Sequence, residues 1–268
     1  MKNFIETSTG MNRRSFLTRA SFVGSAALLP FATLLRASET SEHHHPLFKD
    51  DRAILIAAEI AEALAVTTYS NIINQAPFFT RLPDADKAYL LAALEEEMSH
   101  YAVEASVTGQ ATPYTRFYYP SNMFADAQTT LNTLVTLEDA FIAAYLVGVR
   151  HFTRADLRVT AARIMGVESD HRSLARVIAA DIDPQDGGPL STVTGVQGVA
   201  EPVSPANNNG YERTLKWTSI DDAVAALTPF VDATAAANAG FDAGIGYDFQ
   251  PFTPALPLPL GDFISYQG

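Results

Sequence analysis

Between Asp50 and Ala180 the apolar residues recur at intervals of three and four, the spacing that lines one face of an α-helix. Breaks in that pattern divide the stretch into four segments. The first runs from about Asp51 to Asn74, with Ile54, Leu55, Ala58, Ala61, Ala65 and Val66 at helical spacing. The second starts at Pro83-Asp84 and continues to about Val107, shortly before Gly109. The third spans roughly Asn122 to Arg150, and the fourth about Arg154 to Ala180, stopping before Asp183-Pro184. At 1.5 Å per residue each segment is roughly 36–43 Å long, and four helices of matched length predict a four-helix bundle. The third and fourth are separated only by His151 to Thr153, so they should be antiparallel neighbours. The second and third are joined by Gly109 to Ser121, "GQATPYTRFYYPS", which when extended reaches about 43–47 Å and can run the length of the bundle.

The pattern changes at both ends. Residues 182–217 are rich in turn signals, a short helix is expected from about Ser219 to Leu227, and Pro229 should bend or end it. The final segment, "YDFQPFTPALPLPLGDFISYQG", alternates proline with aromatic and aliphatic groups and is expected to pack along the bundle or a neighbouring subunit. At the other end, Asn12-Arg13-Arg14-Ser15-Phe16-Leu17 precedes an apolar run from about Ala20 to Leu35. It resembles a bacterial twin-arginine export signal. The run carries Pro30 and falls short of the roughly 20 residues that span a bilayer, so stable membrane insertion after cleavage is not expected. The expected organisation is a signal over 1–37, a linker over 38–50, the bundle over 51–181 and an extension over 182–268. The mature protein would then be periplasmic or otherwise extracytoplasmic.

Composition narrows the chemistry. The chain has 268 residues and a formal charge of −12, and cleavage near Ala37 would remove five bases and one acid, leaving about −16. Such a charge argues against nucleic acid as a partner and leaves metal cations and small molecules open. With no cysteine, any metal must be held by carboxylates and imidazoles. Glu-x-x-His spacing sets both side chains on one face of a helix, and it occurs three times where chance gives about 0.3. Glu97–His100 and Glu168–His171 lie in the second and fourth helices, whereas Glu42–His45 belongs to the linker. The first and third helices each hold an acid within an apolar stripe, Glu62 and Glu138, followed seven residues later by Tyr69 and Tyr145. The chain thus repeats E-x6-Y, E-x2-H twice.

Over about residues 50–181 this pattern resembles the ferritin-like superfamily, nearest to exported bacterial ferritin-like proteins related to plant desiccation-associated proteins. The resemblance implies an all-α, ferritin-like four-helix bundle with one long crossover between helices two and three. It implies Glu62, Glu97, His100, Glu138, Glu168 and His171 as ligands of two Fe ions, alternatively Mn, with Glu97 and Glu168 bridging. Tyr69 resembles the tyrosine that many ferritins place beside the site, and Tyr145 is its counterpart in the repeat. Two divalent ions would neutralise four buried carboxylates, and an oxygen-rich set with one imidazole per metal suits iron or manganese. The function expected is redox chemistry on Fe(II) with O2 or H2O2 in stress protection, by a monomer or small homo-oligomer. The competing reading is a non-enzymatic structural or stress-protective binding protein. Glu59 stands as an alternative first-helix ligand, Glu104 as an acid near the ligands, on the entry path or simply at the surface, and His43, His44 and His45 as linker histidines. Within "LEEEMSHY", Glu97 and His100 share a face, while Glu95 and Glu96 point to the solvated side.

Overall fold

The computed structural model describes residues 49–188 and 217–255. The segment read as an export signal, His43 to His45, most of the 182–217 stretch and the last thirteen residues lie outside the described residues. Four long helices form the body: α1 (Lys49–Gln75), α2 (Asp84–Thr108), α3 (Ala127–His151) and α4 (Ala155–Ala180). Two shorter ones follow, α5 (Ile220–Val231) and α6 (Ala233–Ala239). Among the described residues the protein is all-α apart from a two-residue antiparallel ribbon, β1 (Arg116–Phe117) with β2 (Tyr247–Asp248).

Side-chain contacts fix the directions of the helices. Arg52 near the start of α1 donates to the Thr108 carbonyl at the end of α2 (3.1 Å), so these two are antiparallel. Asp51 accepts from the Thr153 backbone N–H (2.8 Å) and hydroxyl (2.5 Å), tying the start of α1 to the turn between α3 and α4. Hence α1 is antiparallel to α3 as well, and α2 and α3 run the same way. Only a connection that travels the length of the bundle can join two helices of like direction.

That connection is longer than the sequence reading allowed. It continues to Asp126, because Asn122 takes a left-handed backbone conformation (φ 63°) and Met123 to Ala125 form a turn. The Asp126 side chain then accepts from the Thr129 backbone N–H (2.8 Å), and it is this cap that starts α3. At the other end of the crossover, Gly109 (φ 72°) closes α2 in the conformation a side chain disfavours.

Helices α1 and α3 are apolar around most of their circumference because both are enclosed. By length and composition each could cross a membrane, but 83% and 78% of their most apolar windows are buried within the fold, as expected of core helices. The extension supplies part of that cover, with α5 packing against α1 and α3. The sequence reading ended this helix near Pro229. It instead runs two residues beyond the proline, and α6 follows directly from the Asp232 cap. A proline removes one internal hydrogen bond, and here the loss falls in the last turn of a helix whose final residues are buried.

The extension also clamps the crossover. Tyr118 donates its backbone N–H to Phe230 (2.8 Å), Asp242 to Tyr119 (3.0 Å) and Phe249 to Thr115 (2.8 Å). Tyr119 is fully buried, packs edge-on against Phe124, Phe230 and Tyr247, and sets its hydroxyl 3.0 Å from Thr68 of α1. The buried apolar residues fall into two clusters. A large one surrounds the crossover and the Tyr69 end of α1, and a smaller one (Ile54, Leu55, Tyr145, Phe152, Leu157, Ala161, Ile164) occupies the other end.

Candidate metal centre

The interior acids and histidines sit on α1 to α4 at the level where antiparallel helices bring repeated positions face to face. On α2 and α4, His171 Nδ1 lies 2.9 Å from Glu97 Oε1, and His100 Nδ1 lies 3.2 Å from Glu168 Oε1. Each histidine therefore meets the glutamate of the other Glu-x-x-His pair. On α1 and α3 the pairing is crossed in the same way. Tyr69 donates to Glu138 (2.6 Å), and Tyr145 is hydrogen-bonded to Glu62. A tyrosine seven residues along a helix is about 10.5 Å from its own glutamate, too far to touch it. The repeated E-x6-Y spacing instead matches the register of two antiparallel helices.

Donor atoms from the six side chains converge in two groups. One oxygen or ring nitrogen from each of Glu62, Glu97, His100 and Glu168 lies within 4.8 Å of the others, and the same holds for Glu97, Glu138, Glu168 and His171. Glu97 and Glu168 belong to both. All four carboxylates are at most 2% exposed. Eight atoms of the six side chains have no hydrogen-bond partner: Glu62 Oε2, both oxygens of Glu97 and Glu168, Glu138 Oε2, and the Nδ1 atoms of His100 and His171. The close nitrogen–oxygen approaches lack the direction of hydrogen bonds. Leaving a buried polar atom unpaired costs about 1–3 kcal/mol, more if it is charged, so eight at one place call for a cation. A set rich in carboxylate oxygen with two imidazoles can hold a metal ion of the iron or manganese type.

Proton affinities reflect the same crowding. Burial, with the charges of Glu97 and Glu168, raises Glu62 and Glu138 well above the usual carboxylate range. Burial acts on Glu97 in the same sense, but His171 and the contacts with both histidines outweigh it and hold that carboxyl low. For His100 and His171, burial alone would favour the neutral ring. The surrounding carboxylates reverse this and raise both. Without a cation, protons take the places a metal would fill.

Glu96 departs from the sequence reading, which put it on the wet side of α2. It is partly exposed, yet its Oε2 lies 2.8 Å from His171 Nε2. Accepting from that N–H, Glu96 leaves Nδ1 on the side of Glu97, where a bound metal would take its lone pair. Periodicity conceals this, because residue 96 touches a ring delivered by α4. Glu96→Ala is expected to weaken metal binding in the His171 group by about 10–100-fold and to spare the His100 group, as metal titration would show.

Glu104 is buried as well, with Oε1 2.8 Å from the Tyr145 hydroxyl and Oε2 unpaired. Glu59, the alternative first-helix ligand, is in neither donor group. It accepts from Thr108 (2.9 Å), and burial pushes its carboxyl up to about 8 against the pull of Thr108 and Arg52. Glu95 stays outside, accepting from the Ala255 backbone N–H (2.7 Å). His151, the last residue of α3, contacts the Thr218 carbonyl (2.8 Å).

Among known families, residues 50–180 match the ferritin-like domain. No curated protein and no solved structure matches the chain.

Proposed function

We propose, from the match of residues 50–180 to the ferritin-like domain, that the chain is an exported ferritin-like metalloprotein that binds two iron ions, alternatively manganese, and performs redox chemistry on Fe(II) with O2 or H2O2. Glu62, Glu97, His100 and Glu168 would hold one ion, Glu97, Glu138, Glu168 and His171 the other. The observation that carries this reading is the pair of donor groups sharing two carboxylates, with eight buried atoms unpaired. Two such ions, when bound, would supply one electron each to a two-electron oxidant.

The chain's own part is to hold and dry the site. Tyr69 and Tyr145 fix one oxygen of Glu138 and of Glu62, which leaves the other oxygen of each for a cation. Glu96 orients His171. The small apolar cluster around Phe152 and Leu157 shields one end from water. Export and a role in stress protection rest on the twin-arginine pattern of residues 12–36 and on the resemblance described above.

Metal analysis tests the binding, and stopped-flow consumption of O2 and H2O2 by the iron-loaded protein tests the chemistry. Oxidation of Fe(II) coupled to loss of either oxidant is the expected outcome. The closure of the site also suits a metal that acts only as a staple. Bound metal without oxidant consumption would establish that reading instead.

A further inference from the structure

The two halves of the E-x6-Y, E-x2-H repeat differ at a buried position outside the six candidate ligands. Seven residues after Glu97 stands Glu104, whereas seven residues after Glu168 stands Ala175, and both are buried. The two tyrosines differ correspondingly. Among the described residues the Tyr69 hydroxyl is hydrogen-bonded only to Glu138, but the Tyr145 hydroxyl meets two carboxyl groups, at Glu62 Oε1 and Glu104 Oε1.

Counting protons decides what the second contact is. A phenol carries one proton, so Tyr145 can donate to only one of the two oxygens. The other contact is a hydrogen bond only if that carboxyl is itself protonated and donates to the phenol oxygen. A carboxylate that binds a cation is ionised, which the function proposed above requires of Glu62. Tyr145 then donates to Glu62, and the proton of the second contact has to sit on Glu104. The surroundings favour this. Glu104 is 3% exposed, and burial, with the charges of Glu59 and Glu168, raises its carboxyl well above the usual range against the pull of Tyr145 and His100. Its unpaired Oε2 is tolerable as the carbonyl oxygen of a neutral acid and costly as half of a carboxylate.

We propose that Glu104 is a neutral acid that donates from Oε1 to the Tyr145 oxygen, keeps its proton when metal fills the Glu62 group, and is the proton reserve for that side of the centre alone. Reduction of O2 or H2O2 consumes protons, and the four ligand carboxylates are at most 2% exposed. One proton can cross by a paired shift. Glu104 gives its own to the Tyr145 oxygen as Tyr145 gives its phenolic proton to Glu62 Oε1, leaving Glu104 a carboxylate with no electron moved. Glu104 thus acts through Tyr145 and touches neither metal nor oxidant. The Glu138 side, with Ala175, has no such acid. The site of the proton can be read without metal; its use in turnover rests on the function proposed above.

Infrared difference spectra of the full chain, parent minus Glu104→Gln, test the proposal near neutral pH, where exposed carboxyls are ionised. Glutamine keeps the length and an N–H donor for Tyr145 but has no acid proton to give. The expected difference is one C=O band of a protonated carboxyl, present in the metal-free chain and still present after loading with Mn(II). Tyr145→Phe should move that band to higher frequency without removing it, because the acid loses its acceptor. Iron-loaded Glu104→Gln should hold as much metal as the parent and consume O2 or H2O2 about 100-fold more slowly, the lower end of what a positioned acid contributes. No such band in the metal-free chain, a band that metal loading removes, or one that Tyr145→Phe leaves unmoved would overturn the proposal. So would oxidant consumption by Glu104→Gln equal to that of an active parent. A parent that binds no metal or consumes no oxidant would instead strike the function proposed above, and the metal-free spectra would still decide where the proton sits.

Discussion

Replacing either Glu97 or Glu168 by alanine is expected to empty both metal positions, whereas replacing Glu62 or Glu138 should empty only one. The asymmetry follows from geometry, since Glu97 and Glu168 each offer atoms to both donor groups and Glu62 and Glu138 to one apiece. Losing a shared carboxylate removes a ligand from each ion and a negative charge from between them. The variants should fold. Neither oxygen of Glu97 or of Glu168 has a hydrogen-bond partner, so alanine breaks no such bond at either position. Metal content per folded chain, with helicity checked by circular dichroism, decides the matter. Equal losses in all four variants would mean that the carboxylates do not divide the work as their positions imply.

The second large effect concerns pH. Glu59, Glu62, Glu104 and Glu138 all have carboxyl pKa values raised in the folded chain, principally by burial, and the His100 and His171 rings are raised by their carboxylate neighbours despite burial. A group whose folded pKa is raised binds more protons folded than unfolded, so its contribution is full below its unfolded pKa and is lost as pH rises through the folded one. For the four glutamates the loss begins near pH 4.5, and for Glu59 it is complete by about 8. Glu97 works in the opposite direction, being lowered, as are Asp156, Asp186 and Asp222, but a lowered carboxyl has given its full contribution above its unfolded value and adds almost no slope between pH 5 and pH 8. Each raised group contributes up to about 1.4 kcal/mol per pH unit. Glu59 alone accounts for about 10 °C between pH 5 and pH 8, so the metal-free protein is expected to melt at least about 10 °C lower at pH 8 than at pH 5. Metal displaces those protons and stabilises the folded state by mass action, so the loaded protein should lose this slope or reverse it. Thermal melts across pH, with and without metal, read both effects. A metal-free protein more stable at pH 8 than at pH 5 would refute the account of its buried acids.

How far the sequence carried these conclusions depended on the kind of information each residue needed. Spacing within a single helix was enough to put Glu97 with His100, and Glu168 with His171, on common faces, and the apolar stripes around Glu62 and Glu138 pointed those acids inward. All six side chains meet in the interior. Spacing says nothing about what a neighbouring helix delivers. Tyr69 reaches the glutamate of α3 rather than its own, and Glu96, facing away from Glu97, receives the ring of His171 from α4. Glu104 could be read as buried or exposed until the end of α2 was seen against Tyr145. Local signals failed where tertiary contacts overrode them. The helical pattern after Asn122 gave way to a turn and an Asp126 cap, and Pro229 stayed within a helix whose last turn is held by burial. The ribbon between residues 116–117 and 247–248 joins segments more than a hundred residues apart, and no local pattern announces it.

The central proposal is that the four-helix bundle holds two metal ions, one at each donor group, to both of which Glu97 and Glu168 would contribute. Crystals of the iron-loaded protein, measured on both sides of the iron absorption edge, test it most directly. The account predicts two anomalous peaks per chain, one bounded by Glu62, His100 and the two shared carboxylates, the other by Glu138, His171 and the same pair. A single peak, peaks outside these side chains, or none in iron-soaked crystals with the bundle intact would contradict it.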